Sequence, residues 1–492
     1  MKRPARQRLL RTTLLAMAIG SLLPAQAQPA EPRLRLSGTL AQVPATKPAP
    51  GPSEHWTQGA DRWQPGNTAC ADLTAPRWDR LTLGDALART LCQSPALRQA
   101  LADVAEQSAG VTLSEVARNP RWTASAGYSS ARNFNSSGSS GRTLDASLGL
   151  SWVLFDFGQR SASLQAARQT LAAAMAGQTN AQLDAVRELL RLYGEAVVAA
   201  AALEASREAE SSASQTAAAA QARYQAQVGN QIDRLQAQTA QAQATLERVR
   251  AQSGWENARG LLALALGADI AQPLRLADWE SWALPERDGP DLDALRREAR
   301  ANHPRLRASQ AQIDGLRARL DAVQAEGKGS VTLSASGGSS RNWGAAGTGS
   351  IPTANAAVVA SIPLFNGRET DAQARQVLAQ IGAREAERES TQREVDSQLW
   401  QAHQAWLTSQ QSLQASERLQ VSADSAFRVA QGRYRAGVGS MLELLSAQAA
   451  LADARRQRVS AQVEQLTAQT QLSLATGRIG PLPTGPLQTR RP

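Results

Sequence analysis

The chain has 492 residues, only 4% of them aromatic, and a formal charge of +10. Ala, Gln, Arg, Leu and Ser dominate, a mixture that favours long helices packed through small side chains over a large globular core. Much of the positive charge is local: Lys2, Arg3, Arg6, Arg8 and Arg11 precede a short apolar run, Leu14 to Leu23, and the small-residue stretch Ala25-Gln26-Ala27. This pattern predicts a secretory signal peptide over residues 1–27, with an apolar part too short to span a bilayer. Its removal takes away five positive charges and no negative ones, so about +5 remains and support for nucleic-acid binding is lost.

Residues 28–80 form a Pro-rich segment, with Pro29, Pro32, Pro44, Pro48, Pro50, Pro52, Pro65 and Pro76, and are expected to be irregular or extended. The only two cysteines are Cys70 and Cys92. In an exported chain a disulfide between them is the leading reading, with two free thiols as the alternative. His55, His303 and His403 are scattered and lack zinc-ligand spacing, so neither a metal nor a cofactor is expected.

From residue 81 onward the chain is written twice. At an offset of 210, Gln221–Gln252 and Gln431–Gln462 share 16 identities in 32 positions, including Arg223/Arg433, Tyr224/Tyr434, Val228/Val438 and Gly229/Gly439. "LALALG" (262–267) meets "LSLATG" (472–477), so Gly267 and Gly477 read as left-handed helix caps. Upstream, "SPALR" (94–98) pairs with "HPRLR" (303–307), and "LFDFG" (154–158) with "LFNG" (364–367). Two repeats are expected, 81–270 and 291–480, joined by a linker at 271–290 and followed by a tail at 481–492.

Each repeat presents the same order of signals. A helix comes first, Thr82–Arg118 or Leu292–Ala325. The apolar period then changes from 3.6 to 2, which predicts hairpins at 121–155 and 330–365. In the first hairpin Trp122, Ala124, Ala126 and Tyr128 share a face, as do Leu144, Ala146, Leu148, Leu150 and Trp152. The second repeats the pattern with Val331, Leu333 and Ala335, a Gly-rich loop around Arg341–Ser350, then Ala356, Val358, Ala360 and Ile362. A helical stretch of roughly 60–70 residues follows from Gly158 or Gly367, about 100 Å long and read as free of Pro or Gly punctuation. Turns at Val228-Gly229-Asn230 and Val438-Gly439-Ser440 end it, and a helix returns.

Four strands with one apolar face and one small, polar face read as part of a membrane barrel. Unpaired backbone groups in lipid cost several kcal/mol each, so such a sheet must close, and only further copies of the chain can close it. Three copies supply twelve strands. Trp122, Leu144, Leu148, Trp152 and Ile362 would then face lipid. A periplasmic coiled-coil scaffold is the bland alternative, and it leaves two matched alternating hairpins without a purpose.

"IPLFNGRE" (362–369), "WVLFDFGQR" (152–160), "HPRLRASQAQI" (303–313) and "RYRAGVGSMLELLSAQ" (433–448) carry a resemblance over residues 81–480. On these the chain resembles the TolC-like outer membrane factor family. The resemblance implies an α+β membrane protein: a homotrimeric, twelve-stranded outer-membrane β-barrel, four strands per chain, continued by a long periplasmic α-helical barrel. It implies an exit channel that works with a periplasmic adaptor (membrane-fusion) protein and an inner-membrane transporter. "LTLGDALARTLCQSPALRQA" (81–100), preceded by Cys70, resembles the type I secretion branch, with an ABC transporter as partner and an RTX-type protein toxin as cargo. Drug efflux with a proton-driven pump is the alternative.

By the same resemblance the two turns, Val228, Gly229, Asn230 and Val438, Gly439, Ser440, face the adaptor. Asp233 and Glu443 fall where an acidic ring would favour cations, and Tyr224 and Tyr434 where inter-helix latch groups would sit. Gly439 and Ser446 stand where a basic latch residue and a second acid are expected, so the latch is weaker or differently built. The plain reading of Asp233 and Glu443 is a solvated helix face, and that of Arg433 and Tyr434 a packed surface pair. Catalysis has no support: there is no His-Glu-x-x-His, no Gly-x-Ser-x-Gly and no phosphate-binding Gly-x-x-x-x-Gly-Lys.

Overall fold

The computed structural model describes residues 78–132, 140–277, 291–344 and 347–479. The signal peptide, most of the Pro-rich segment, Cys70, His55 and the tail lie outside the described residues. Cys92, at the end of the first helix, is not a free thiol.

Where one opening helix per repeat was expected there are two. In the first repeat these are α1 (Leu83–Gln93) and α2 (Pro95–Val116). The reason is proline at the first helical position: Ser94-Pro95 breaks the preceding helix and starts the next, since proline lacks the N–H and clashes with the turn before it. Thr82 opens α1 with a capping box, its hydroxyl accepting from the Asp85 N–H while the Asp85 carboxylate accepts from the Thr82 N–H. The strands β1 (Arg121–Arg132) and β2 (Ser140–Phe155) follow, then α3 (Gln159–Gln225) and α4 (Gln231–Ala265). The second repeat gives α5 (Leu292–Asn302), α6 (Pro304–Glu326), β3 (Ser330–Gly344), β4 (Gly347–Ser361), α7 (Glu369–Arg435) and α8 (Met441–Ala475). The helix break recurs here at His303-Pro304.

Both α3 and α7 have 67 residues, and α4 and α8 have 35. The long helices do contain glycine, at 177, 194, 382 and 432, contrary to the expectation of an unpunctuated run. Gly194 has a packing reason: a Cβ there would stand 2.9 Å from Val463 Cγ1. Helices exposed along so much of their length are supported by local ion pairs such as Arg191 with Glu188 and Glu195, and Arg384 with Glu387. Each such pair contributes a few tenths of a kcal/mol.

Two of the apolar clusters tie the helices together near the middle of α3 and α7. One joins α1, α3, α4 and α8 through Leu83, Val186, Tyr193, Leu262 and Leu474. The buried Tyr193 hydroxyl donates to the Leu81 carbonyl. The other joins α5, α7 and α8 through Ala299, Val395, Leu399, Trp406 and Leu472. Beside the first cluster, Leu81 and Leu276 form an isolated parallel bridge, so the segment after α4 pairs with the one before α1.

His303 is buried between α5 and α6 and caps α6, its Nδ1 accepting from the Arg305 N–H at 3.3 Å. Burial pushes its pKa down to about 4, and the charges of Arg305 and Arg187 add to the effect. Gly477 takes φ +86°, and a Cβ there would lie 2.9 Å from both His303 Cα and Pro304 Cδ. Gly267 takes φ +66°. Both helix ends are therefore left-handed, as expected.

Candidate functional site

The four strands form one antiparallel sheet in the order β1-β2-β3-β4. Its register puts Trp122 opposite Leu150, Ala124 opposite Leu148 and Tyr128 opposite Leu144. Next door, Trp152 faces Leu333 and Leu150 faces Ala335, and across the last pair Leu333 meets Val358. Directly paired residues share a face, so these side chains make one apolar surface. Thr123, Ser125, Ser147, Gly149, Ser334 and Ser336 lie on the other, where the Ser125 and Ser147 hydroxyls are 2.8 Å apart. Among the described residues no helix packs across either face, and every residue of β1 is exposed. Among the described residues the outer edges of β1 and β4 have no strand beside them.

Two expectations need correction here. β4 ends at Ser361, so Ile362 lies one residue past the strand, exposed at the start of the link to α7. The Gly-rich loop is also shorter than composition suggested, because Arg341 pairs with Ser350 and Asn342 with Gly349 inside the ladder. Ladder bonds are made by the backbone, and small side chains do not prevent them. Ser130 to Arg132 and Ser140 to Arg142 likewise belong to strands.

At the far end of the long helices are two turns, 226–230 and 436–440. Asn230 caps α4 by accepting from the Ile232 N–H at 3.1 Å, and Ser440 caps α8 by accepting from the Glu443 N–H at 3.2 Å. Asp233 and Glu443 therefore occupy the third helical position, where a carboxylate also complements the helix dipole. The left-handed residues of the turns are Gln227 (φ 62°) and Gly437 (φ 79°), not the repeated glycines. Gly229 and Gly439 answer a different need. A Cβ at either would sit 2.9 Å from the Cβ of Arg223 or Arg433 and 3.0 Å from the next backbone nitrogen.

The two turns are joined inside one chain. Arg223 donates from Nη1 to the Tyr434 carbonyl at 3.0 Å, and its guanidinium lies 5.0 Å from the centre of the Tyr434 ring. Tyr434 is buried with Ala217, Ala220, Ala237, Met441 and Leu444. Tyr224 stays exposed, covered on one side by Arg234 at 4.5 Å. The repeats diverge at this point, since Arg234 in one copy corresponds to the buried Leu444 in the other. Arg433 Nε approaches Glu443 at 3.8 Å, whereas Asp233 has no ion pair among the described residues. Sequence reasoning overlooked Arg223 as the link between the turns. Its signal was the same Arg-Tyr dipeptide, read only as a mark of duplication. Beyond this knot Val228, Ile232, Val438 and Leu442 project into solvent.

A family model described as "Outer membrane efflux protein" matches residues 86–268 and again 295–478. The chain belongs to this family. Protein CyaE of Bordetella pertussis is 32% identical over 411 residues, covering 82% of this chain and 86% of that one. Among solved structures, the CmeC outer membrane channel of Campylobacter jejuni superposes with a TM-score of 0.71 at 17% identity, covering 81% of this chain and 86% of its own. The MtrE outer membrane channel of Neisseria gonorrhoeae, in its open state, gives 0.70 at 20% identity, covering 80% and 89%.

As an outer membrane efflux protein the chain is a channel component and not an enzyme. The fold is that of the TolC-like outer membrane channels, mostly helical with a small antiparallel sheet. The protein resides in the outer membrane and extends into the periplasm through its long helices. Among the described residues no helix is long and apolar enough to cross a membrane.

Proposed function

We propose that three copies of this outer membrane efflux protein join edge to edge, β4 of one to β1 of the next, in a twelve-stranded barrel that serves as the exit duct of type I secretion. The observation that carries this reading is the sheet itself: among the described residues it has two free edges and two bare faces, one of them apolar. In lipid each unpaired backbone group costs several kcal/mol, so an isolated four-stranded sheet is not a stable membrane element. Two copies would give eight strands, a bore that side chains fill; three give twelve and leave room for water.

The helices support the same joint. Inside one chain α3 packs against α6 of the other repeat, and α6 buries Ala322 and Ala325. The equivalent positions on α2, 209 residues earlier, are Leu113 and Val116, and they are 71% and 54% exposed. The surface that is covered within the chain on α6 is uncovered on α2, and α7 of a neighbouring copy is its counterpart. Leu364 and Phe365, in the link that follows β4, are likewise almost fully exposed.

At the opposite end the apolar tips, Val228, Ile232, Val438 and Leu442, would meet a periplasmic adaptor, which links the duct to an inner-membrane ABC transporter. Asp233 and Glu443 would line the entrance as an acidic ring, with Tyr224 as the accessible latch group and Tyr434 as part of the packed frame. Similarity to Protein CyaE supports protein secretion over drug efflux through a proton-driven pump. The test is export in a host lacking its own such channel, supplied with an ABC transporter, an adaptor and an RTX-type cargo. Cargo in the medium only when this chain is present is the expected result. Restored drug resistance without cargo release would assign the duct to drug efflux.

A further inference from the structure

The apolar face of the sheet changes character near its loop end. From the level of Leu144 and Tyr128 outward, that face carries Arg341 on β3 beside Leu144, then Arg142 on β2 between Ser130 and Trp343, then Arg132 on β1. Register places them together: Arg142 pairs with Ser130 and Trp343, Arg132 with Ser140, and Arg341 with Leu144. Arg142 is thus two residues along the ladder from each of the other two, a diagonal spacing of roughly 7–8 Å. All three arginines are exposed. Among the described residues none has an ion pair, and Asp145, the nearest acid on β2, belongs to the opposite face. Arg341 lies 5.8 Å from the centre of the Trp343 ring.

Height along the barrel gives the cluster its meaning. Trp122 and Trp152 mark the helix end of the apolar band. From Trp152 to Arg142 is ten residues, roughly 34 Å along the strand and about 26 Å across the membrane at a tilt near 40°. That distance equals the apolar thickness an outer-membrane barrel presents, about 25 Å. Arg142 therefore stands at the outer interface, opposite the periplasmic helices, with Arg341 two ladder positions nearer the apolar band and Arg132 two positions farther out, all three facing lipid and not the bore. A guanidinium there needs an anion, and its planar fork suits phosphate oxygens.

We infer that Arg132, Arg142 and Arg341 form a stepped collar that binds the phosphates of outer-leaflet lipid head groups, three arginines from each copy, with Trp343 level with Arg142. The inference rests on the barrel reading above, because only closure turns this face toward lipid. Native mass spectrometry of the purified, delipidated full-length channel tests it. The channel is offered lipid A with two phosphates, monophosphoryl lipid A, or phosphatidylcholine, and compared with the Arg142→Gln/Arg341→Gln double variant. The wild-type channel should retain lipid A in preference to the other two. The variant should lose about tenfold in lipid A retention, with oligomer mass and phosphatidylcholine retention unchanged, and excess inorganic phosphate should not displace the lipid. Equal lipid A retention by the variant, or displacement by inorganic phosphate, in an intact oligomer would overturn the collar alone. A single-chain mass would overturn the barrel and the collar together.

Discussion

His303 shows how one side chain couples two helices to solution conditions. It is buried, caps α6 as a neutral acceptor and presses against Gly477 at the end of α8. Its folded pKa of about 4 lies below the 6.5 of a free imidazole, so between these values the unfolded chain binds a proton that the folded chain refuses. Stability contributed here is present above about pH 6.5, falls as pH drops toward about 4, and then levels off, a total of about 3 kcal/mol per chain. Asp184 and Glu394 oppose the shift without reversing it. Replacing His303 with Asn keeps a capping acceptor and removes the titration. The difference in unfolding free energy between wild type and His303→Asn should shrink or reverse as pH is lowered through this window, followed by helical circular dichroism. A constant difference would contradict the assignment. The sequence offered "HPRLR" as a repeat mark and His303 only as a scattered histidine without zinc-ligand spacing; its packing against Gly477, 174 residues away, is something no local pattern encodes.

At the scale of elements, what was legible followed from period and punctuation. The change from 3.6 to 2 located all four strands, and the repeated glycines located the helix ends. What was missed was the second meaning of two prolines, which start helices as well as stop them, and the reach of strands into Gly- and Ser-rich sequence. The tips show the same division: the turns were legible, but Arg223 bridging to Tyr434 was not, because the bridge joins different repeats. The structure also separates two acids that duplication makes equivalent. Glu443 has Arg433 within 3.8 Å, while Asp233 lacks such a neighbour among the described residues. If these carboxylates line the entrance, Asp233→Asn should reduce cation preference in single-channel recording more than Glu443→Gln does, because the Arg433 charge already offsets part of the Glu443 field. An unchanged preference in the double variant would remove the acidic ring.

For the whole molecule, the exposed surfaces form a consistent set. The β1 and β4 edges, the bare Leu113 and Val116 on α2, and Leu364 and Phe365 in the link after β4 all lie at the two sides where the chain would meet copies of itself. The buried Ala322 and Ala325 show how that contact is made when both partners are present in one chain. Alternation of side chains showed that the sheet has an apolar side, and among the described residues no helix packs over it. The mass of the channel extracted from outer membranes in mild detergent, without cross-linking, measures closure most directly. Three chains per particle is the predicted result, and a particle containing one chain, stable and folded, would contradict it.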